Sequence, residues 1–247
     1  MTASLIALMF VAAFFSGAIN AIAGGGTFLT FGVLTLAGVP PISANATSSI
    51  IQFPGYITST LAYLKDFRTL WKSALALGVV SIVGALFGAL FLIWLDNETF
   101  KDMVPWLLLA ATAVFAAGPW LKPKAGERHA ASPGGLAVQG ATSFYGGFFG
   151  AGMGIMMLAS LGLATGGDYH RLNALKNFLS IIIAAVAIIV FSVADAVSWW
   201  HALVMIPGVA LGGYAGVSAA KRVPQAVLRW IVVAAGLGLS AYYFAMG

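Results

Sequence analysis

The chain has no cysteine and very few charged residues. Only 8% of its 247 residues are Asp, Glu, Lys or Arg, whereas 61% are hydrophobic. A soluble domain of ordinary composition carries about 25% charged residues. The absence of cysteine excludes disulfide bonds and thiol chemistry. The shortage of charge excludes an ordinary soluble domain and indicates that most of the chain is surrounded by lipid.

Groups that could carry chemistry are also scarce. The 7 Asp and Glu residues all fall outside the long apolar segments, and an intramembrane enzyme would need paired carboxylates or a nucleophile with its base. The sequence therefore predicts that the protein is not an enzyme. The three histidines lack metal-ligand spacing and there is no P-loop, so no metal or cofactor is expected. Basic residues scattered between apolar segments favour a topological signal over nucleic-acid binding.

Long uncharged runs predict an all-α, polytopic integral membrane protein. About 20 helical residues cross the hydrocarbon core of a bilayer, and helices leave no backbone group without a partner in lipid. Breaks between the apolar runs define ten predicted segments: 4–23, 27–38, 42–64, 72–95, 103–121, 134–150, 154–165, 171–194, 199–219 and 224–245.

Two of these segments, 27–38 and 154–165, are too short to span a bilayer. Twelve helical residues cover about 18 Å. Each short segment follows a cluster of glycines. We therefore expect broken or re-entrant helices after Gly-rich turns at both places.

The charges of the loops predict an orientation. Loops 65–72, 122–133 and 220–229 are mainly basic, whereas loops 96–102 and 195–198 are acidic. Basic loops face the cytoplasm, so the acidic loops face the opposite side. This assignment predicts a multi-pass protein of the bacterial inner (plasma) membrane with both termini on the periplasmic side.

The two halves of the chain resemble each other. A shift of 128 residues aligns Gly24 with Gly152, Gly26 with Gly154 and Asn45 with Asn173, and it also places Ser48 on Lys176 and Ser49 on Asn177. Each half contains five segments in the same long and short pattern. The sequence predicts a first membrane repeat at 1–121, a cytoplasmic linker at 122–133 and a second repeat at 134–247. An odd number of crossings per repeat indicates two inverted repeats, which are typical of secondary transporters.

The glycine clusters are candidate substrate-binding positions. Interrupted helices expose N–H groups that suit an anion, and glycine allows a ligand to approach the backbone. The candidates are Gly24, Gly25, Gly26, Gly150, Gly152 and Gly154. Tight helix packing is the alternative role for glycines in a membrane, and we favour it for the spaced pairs Gly84/Gly88 and Gly212/Gly216.

Polar residues open the helix that follows each short segment. The candidates in the first half are Asn45, Thr47, Ser48, Ser49 and Gln52, and those in the second are Asn173, Lys176 and Asn177. A lysine next to a long apolar helix is a candidate functional group and a point-charge partner for an anion. Alternatively, Lys176 snorkels to the headgroups, and the two asparagines cap helix starts.

Residues 17–30, followed by 38–41 and 44–48, resemble the TauE/SafE family of sulfite exporters, and similar features recur from Gly146 through Gly154 to Lys176. The resemblance covers essentially the whole chain. It implies export or uptake of sulfite, thiosulfate, sulfonates or related organosulfur anions, coupled to an ion gradient. It also implies fewer than ten full membrane crossings.

These observations together predict a secondary transporter for a small sulfur-containing anion, working by alternating access. Its expected partners are the anionic substrate and the lipid bilayer, and the sequence is compatible with a homo-oligomer. The alternative is a passive anion channel of the same architecture. Trans-stimulated exchange would distinguish the two, because a pore does not show it.

Overall fold

The computed structural model describes residues 3–22, 24–64, 70–117, 132–165, 169–220 and 225–246. These ranges contain ten α-helices and no strand. They are α1 (Ala3–Ile22), α2 (Thr27–Leu36), α3 (Pro41–Ala62), α4 (Trp71–Trp94), α5 (Asn97–Ala117), α6 (Pro133–Phe148), α7 (Met153–Thr165), α8 (Tyr169–Val193), α9 (Trp199–Ala220) and α10 (Gln225–Met246). The all-helical prediction is confirmed, and each helix coincides with one predicted segment.

The largest difference in boundaries is at α5, which begins at Asn97 and not at 103. Asp96 accepts hydrogen bonds from the backbone N–H of Thr99 at 2.8 Å and from its hydroxyl at 2.9 Å. A side chain that binds the third N–H of a helix is a cap. The helix therefore starts within the charged loop, where hydrophobicity does not signal it.

Within the described part of the chain, four helices are long and apolar enough to cross a membrane. Their spans are Ala3–Ile22, Ser73–Trp94, Arg171–Val193 and Trp199–Ser218. By contrast, α2 has 10 residues and α7 has 13, which is too short. Large apolar side chains such as Phe87 and Leu211 remain exposed on the outer surface. The chain is a multi-pass membrane protein whose outer helix faces suit lipid.

The helices of the two halves pack in matching pairs. Helix α1 packs on α9 as α6 packs on α4, and α3 packs on α9 as α8 packs on α4. Helices α2 and α10 are in contact, as are α7 and α5. A shift of five helices thus converts each of these contacts into its counterpart. This pattern is what two structurally equivalent five-helix units produce.

The spaced glycine pairs lie at these helix contacts. A Cβ on Gly88 of α4 would lie 2.0 Å from the carbonyl oxygen of Phe144 on α6, and one on Gly212 of α9 would lie 1.9 Å from that of Phe14 on α1. Gly84 and Gly216 meet backbone at the same contacts. The packing interpretation of both pairs is confirmed.

The glycine-rich turns break the chain between α1 and α2 and between α6 and α7. Gly24 has φ of 85° and Gly152 has φ of 109°. Only glycine adopts this left-handed region readily. These two residues are aligned by the predicted repeat, so both halves turn at the equivalent position. The predicted helix breaks are confirmed.

The predicted orientation depends largely on loops outside the described residues. Residues 65–69, 118–131 and 221–224, which carry most of the basic charge and nearly all of the predicted linker, are among them. The two acidic loops are described. Asn97 accepts a hydrogen bond from Ile42 N at 3.1 Å, and Thr47 accepts one from Ser198 N at 2.9 Å. Both acidic loops therefore contact the first turns of α3 and lie at one end of the helical bundle.

Candidate functional site

The two glycine-rich turns meet in the interior of the protein. A Cβ on Gly24 would lie 2.3 Å from the carbonyl carbon of Gly154, and one on Gly154 would lie 2.7 Å from the Cα of Gly24. Such distances leave no room even for a methyl group. A substrate placed between the two breaks, as the sequence suggests, would have to separate Gly24 from Gly154. In this structure the available polar groups lie beside the breaks.

The N–H groups of the second break are already occupied. Asn45 on α3 accepts a hydrogen bond from Gly150 N at 3.1 Å and donates one to Phe148 O at 3.0 Å. Thr27, the first residue of α2, accepts a hydrogen bond from Gly152 N at 3.3 Å. Asn45 does not cap its own helix, which has no side-chain cap. It holds the break of the opposite half of the protein.

The α3 polar face comprises Asn45, Ser48, Ser49 and Gln52, which recur at helical spacing and are buried. Ser48 lies 2.6 Å from the hydroxyl of Thr30, and Ser49 donates to Asn45 O at 3.0 Å. Gln52 donates to Ser16 Oγ at 2.5 Å and accepts from the Asn20 amide at 3.2 Å. Every side chain of this face has a hydrogen-bond partner within the protein.

The α8 polar face comprises the residues aligned with these four: Asn173, Lys176, Asn177 and Ser180, which are fully buried. Neither polar atom of the Asn177 amide has a hydrogen-bond partner, nor has the hydroxyl of Ser180. An unpaired buried polar group costs about 1–3 kcal/mol, and native proteins contain few of them. The α8 polar face therefore retains free hydrogen-bonding groups that the α3 polar face lacks.

Lys176 is the charged member of the α8 polar face. Its side chain is 0% exposed, and its Nζ donates to the backbone carbonyl of Asn20 at 2.5 Å. Asn20 lies in the last turn of α1, where the partial negative charge of the helix end favours a cation. No carboxylate pairs with Lys176 among the residues that the structure describes. Because the amine is enclosed by protein, the snorkelling alternative does not fit.

A small cavity borders Ser49 of the α3 polar face and an apolar part of α8. Its lining includes Ser49, Tyr56, Gly150 and Ile183. Its volume is about 10 Å³, which is close to the minimum for one water molecule. An oxyanion of sulfur does not fit into that space. Because Lys176, Asn177 and Ser180 are also fully buried, the described helices form a closed state of the site.

The structure separates some of the predicted site residues from this cluster. Thr47 lies on a different side of α3 and binds the turn before α9 through Ser198 N. Gly26 is packed against α1, because a Cβ there would lie 1.8 Å from Ser16 O, and Ser16 in turn donates to Gly26 O at 2.5 Å. Gly25 accepts a backbone hydrogen bond from Phe28. These residues have structural contacts in the closed state.

Several members of the cluster were missed by sequence reasoning. Ser16, Asn20 and Thr30 connect α1 and α2 to the α3 polar face. Ser180 completes the α8 polar face. The signal for Ser180 was present, because the shift of 128 residues that pairs Ser48 with Lys176 also pairs Gln52 with Ser180.

The sequence is similar to those of proteins named as probable membrane transporters. The sequence model of the family described as sulfite exporter TauE/SafE matches residues 9–243. A protein of Sinorhizobium sp named probable membrane transporter protein ORF9 is 29% identical over 241 residues, covering 96% of this chain and 91% of the relative. The probable membrane transporter protein YfcA of Escherichia coli strain K12 is 27% identical over 243 residues, covering 96% and 88%. A probable membrane transporter protein of Haemophilus influenzae is 26% identical over 230 residues, covering 93% and 90%.

Proposed function

The chain belongs to the TauE/SafE sulfite exporter family of membrane transporters, and from this premise we propose that it is a secondary transporter of a small sulfur-containing anion. Sulfite, thiosulfate and sulfonates are the candidate substrates. The protein would reside in the bacterial inner membrane with both termini in the periplasm. It would act as a permease by alternating access and not as an enzyme.

The observation that carries the proposal is the buried amine of Lys176. A cation that is enclosed by protein, with a backbone carbonyl as its described partner, lowers stability. Ionisable groups at such positions in membrane proteins are typical of functional sites. The free groups of Asn177 and Ser180 lie on the same helix face and supply N–H and O–H donors. An oxyanion of sulfur offers the negative charge and the acceptor oxygens that these groups lack.

The proposed mechanism needs two repeats inserted in opposite directions. The turn between α4 and α5 lies at the same end of the bundle as the turn between α8 and α9. In parallel repeats, the α8–α9 turn would lie at the same end of the bundle as its equivalent, the connection before α4. Because α4 is long enough to cross from one end to the other, that end would be opposite to the α4–α5 turn. The observed placement of the two turns supports inversion.

The burial of the α8 polar face supports alternating access. Since Lys176, Asn177 and Ser180 are fully buried, a substrate reaches them only if helices move apart. The contact of Gly24 with Gly154 joins the two halves where such a movement would open the site. In the proposed cycle, one repeat rocks against the other and exposes the α8 polar face to each side in turn.

Exchange in proteoliposomes tests the proposal. Vesicles containing the purified protein are loaded with unlabelled sulfite, and the entry of radiolabelled sulfite is measured with and without the internal anion. A transporter shows saturable entry that internal sulfite accelerates, whereas a passive anion channel shows no acceleration. If neither sulfite, thiosulfate nor methanesulfonate entered the vesicles, the proposed substrate class would be refuted.

Cysteine labelling tests the proposed topology, and the chain has no native cysteine to remove. Glu98→Cys should react with an impermeant maleimide from the periplasmic side. Ala125→Cys, in the predicted cytoplasmic linker, should react only after the membrane is opened. Labelling of both positions from one side would contradict the proposed orientation.

A further inference from the structure

The α8 polar face contains a single positive charge, which limits the charge of its ligand. Lys176 is fully buried, whereas Arg171, the other described cation of α8, is exposed. Five residues correspond to about 500° of helical rotation, so Arg171 points away from Lys176 by about 140°. The buried face therefore presents one unit of positive charge.

Three donors of the α8 polar face lie on one side of the helix. At about 100° per residue, Ser180 lies about 40° from Lys176 around the helix axis and Asn177 lies about 100° from it. The free amide of Asn177 and the free hydroxyl of Ser180 thus flank one region of the helix surface with the Lys176 amine. Three donor groups match the three oxygens of one sulfonate or hydrogen sulfite group.

From this arrangement we infer that the site selects singly charged sulfur oxyanions, such as sulfonates and hydrogen sulfite, over doubly charged ones such as sulfate and thiosulfate. The inference rests on the proposed function. A monoanion at Lys176 gives a neutral buried pair. A dianion leaves one uncompensated negative charge among apolar side chains such as Ile183 and Leu179, and an unpaired buried charge is strongly unfavourable.

The described groups next to the α8 polar face do not supply the missing charge. The opposing α3 polar face consists of neutral residues whose polar atoms are already hydrogen-bonded. The end of α1 contributes the carbonyl of Asn20, which repels an anion. Discrimination by charge should therefore be large, at least about a hundredfold in Kd.

Methanesulfonate and sulfate provide the test, because they have similar size and shape but differ in charge. Sulfamate is a second monoanion whose substituent is polar, so it separates charge from the apolar methyl group. Kd values are measured by calorimetry on the purified full-length protein at constant ionic strength. We expect methanesulfonate and sulfamate to bind and sulfate to bind at least about a hundredfold more weakly.

Sulfate or thiosulfate binding as tightly as methanesulfonate would overturn the inference while the proposed function stood. If sulfite, thiosulfate and the three test anions all failed to bind, the proposed function would fall as well. A gain of binding gives an independent test that loss of folding cannot imitate. Ser180→Lys adds a second cation one turn from Lys176 and should raise the affinity for sulfate relative to methanesulfonate by about tenfold or more. A folded Ser180→Lys protein with unchanged relative affinities would contradict the inference.

Discussion

Replacement of Lys176 by glutamine should abolish most anion binding without unfolding the protein. The substitution removes the positive charge of the α8 polar face and shortens the side chain by one atom. In the closed state it removes the hydrogen bond from Nζ to Asn20 O. It also removes a charge that is fully buried with no described counterion.

The effect on binding is estimated from the contact that the substrate would lose. A buried ion pair that loses one partner is destabilised by about 3–5 kcal/mol, because the other charge is left unpaired. With about 3 kcal/mol, the Kd for methanesulfonate or sulfite should rise at least about a hundredfold. Folding should be little affected, since an unpaired buried charge is itself unfavourable and glutamine removes it.

The measurement combines calorimetric Kd values with thermal unfolding in detergent. Lys176→Met has the same side-chain length as Lys176→Gln and removes both charge and hydrogen bond, and it should lose binding like Lys176→Gln. Lys101→Gln is the matched control, because it makes the same change in net charge at a partly exposed position near the start of α5. We expect the control to bind normally.

Asn177→Asp provides a second route to the same conclusion. It preserves the shape of a fully buried side chain and adds a negative charge next to Lys176, so anion binding should fall as in Lys176→Gln. If Lys176→Gln were folded and its Kd remained within threefold of the wild-type value, Lys176 would have no part in the site. The reasoning from the buried amine would then be refuted.

Other predictions concern the turns and caps. Gly24→Ala should lower thermal stability more than Gly38→Ala: both have positive φ, which costs about 1–2 kcal/mol for alanine, but a Cβ on Gly38 meets nothing within 4 Å whereas one on Gly24 meets backbone at 2.3 Å. Equal losses would show that the contact between the breaks is unimportant. Asn45→Ala should destabilise by about 2–4 kcal/mol in chemical unfolding, because it leaves two buried backbone groups unpaired, and a loss below about 1 kcal/mol would contradict this role. Hydrogen bonds from the Thr99 backbone and hydroxyl lower the pKa of Asp96, so its cap on α5 persists above the ordinary pKa of aspartate and is lost as the pH falls through the lowered pKa. Amide exchange at residues 97–100, corrected for intrinsic rates, should rise in that acidic range, and no rise would count against the cap.

Much of the fold could be predicted from the sequence because the bilayer imposes simple rules. Composition alone excludes a soluble domain, and uncharged runs locate the helices. Gly24 and Gly152 could be identified as turns because each lies in a glycine cluster before a short segment, and glycine takes positive φ without strain. The start of α5 could not, since Asp96 and Thr99 form a cap inside a charged loop, where hydrophobicity carries no signal.

The role of individual polar residues was harder to predict. Asn45 and Asn173 occupy equivalent positions, and the sequence left substrate binding and helix capping open for both. In the structure Asn45 holds the opposite break. Its partners lie more than 100 positions away along the chain, so no local pattern could reveal them. Ser48 binds a partner 18 positions away, and Gln52 binds partners 32 and 36 positions away, which is also beyond any local pattern.

The sequence by itself determined the lipid environment, the helical class, the positions of the two breaks and the presence of one lysine next to a long apolar helix. These properties follow from composition and from backbone rules that act locally. Only the tertiary structure decided that Lys176 is enclosed and not at the headgroups, that Asn177 and Ser180 remain free, and that Gly24 and Gly154 close the space between the breaks. Burial and hydrogen-bond satisfaction depend on which distant segments meet, and that is settled when the two halves pack together.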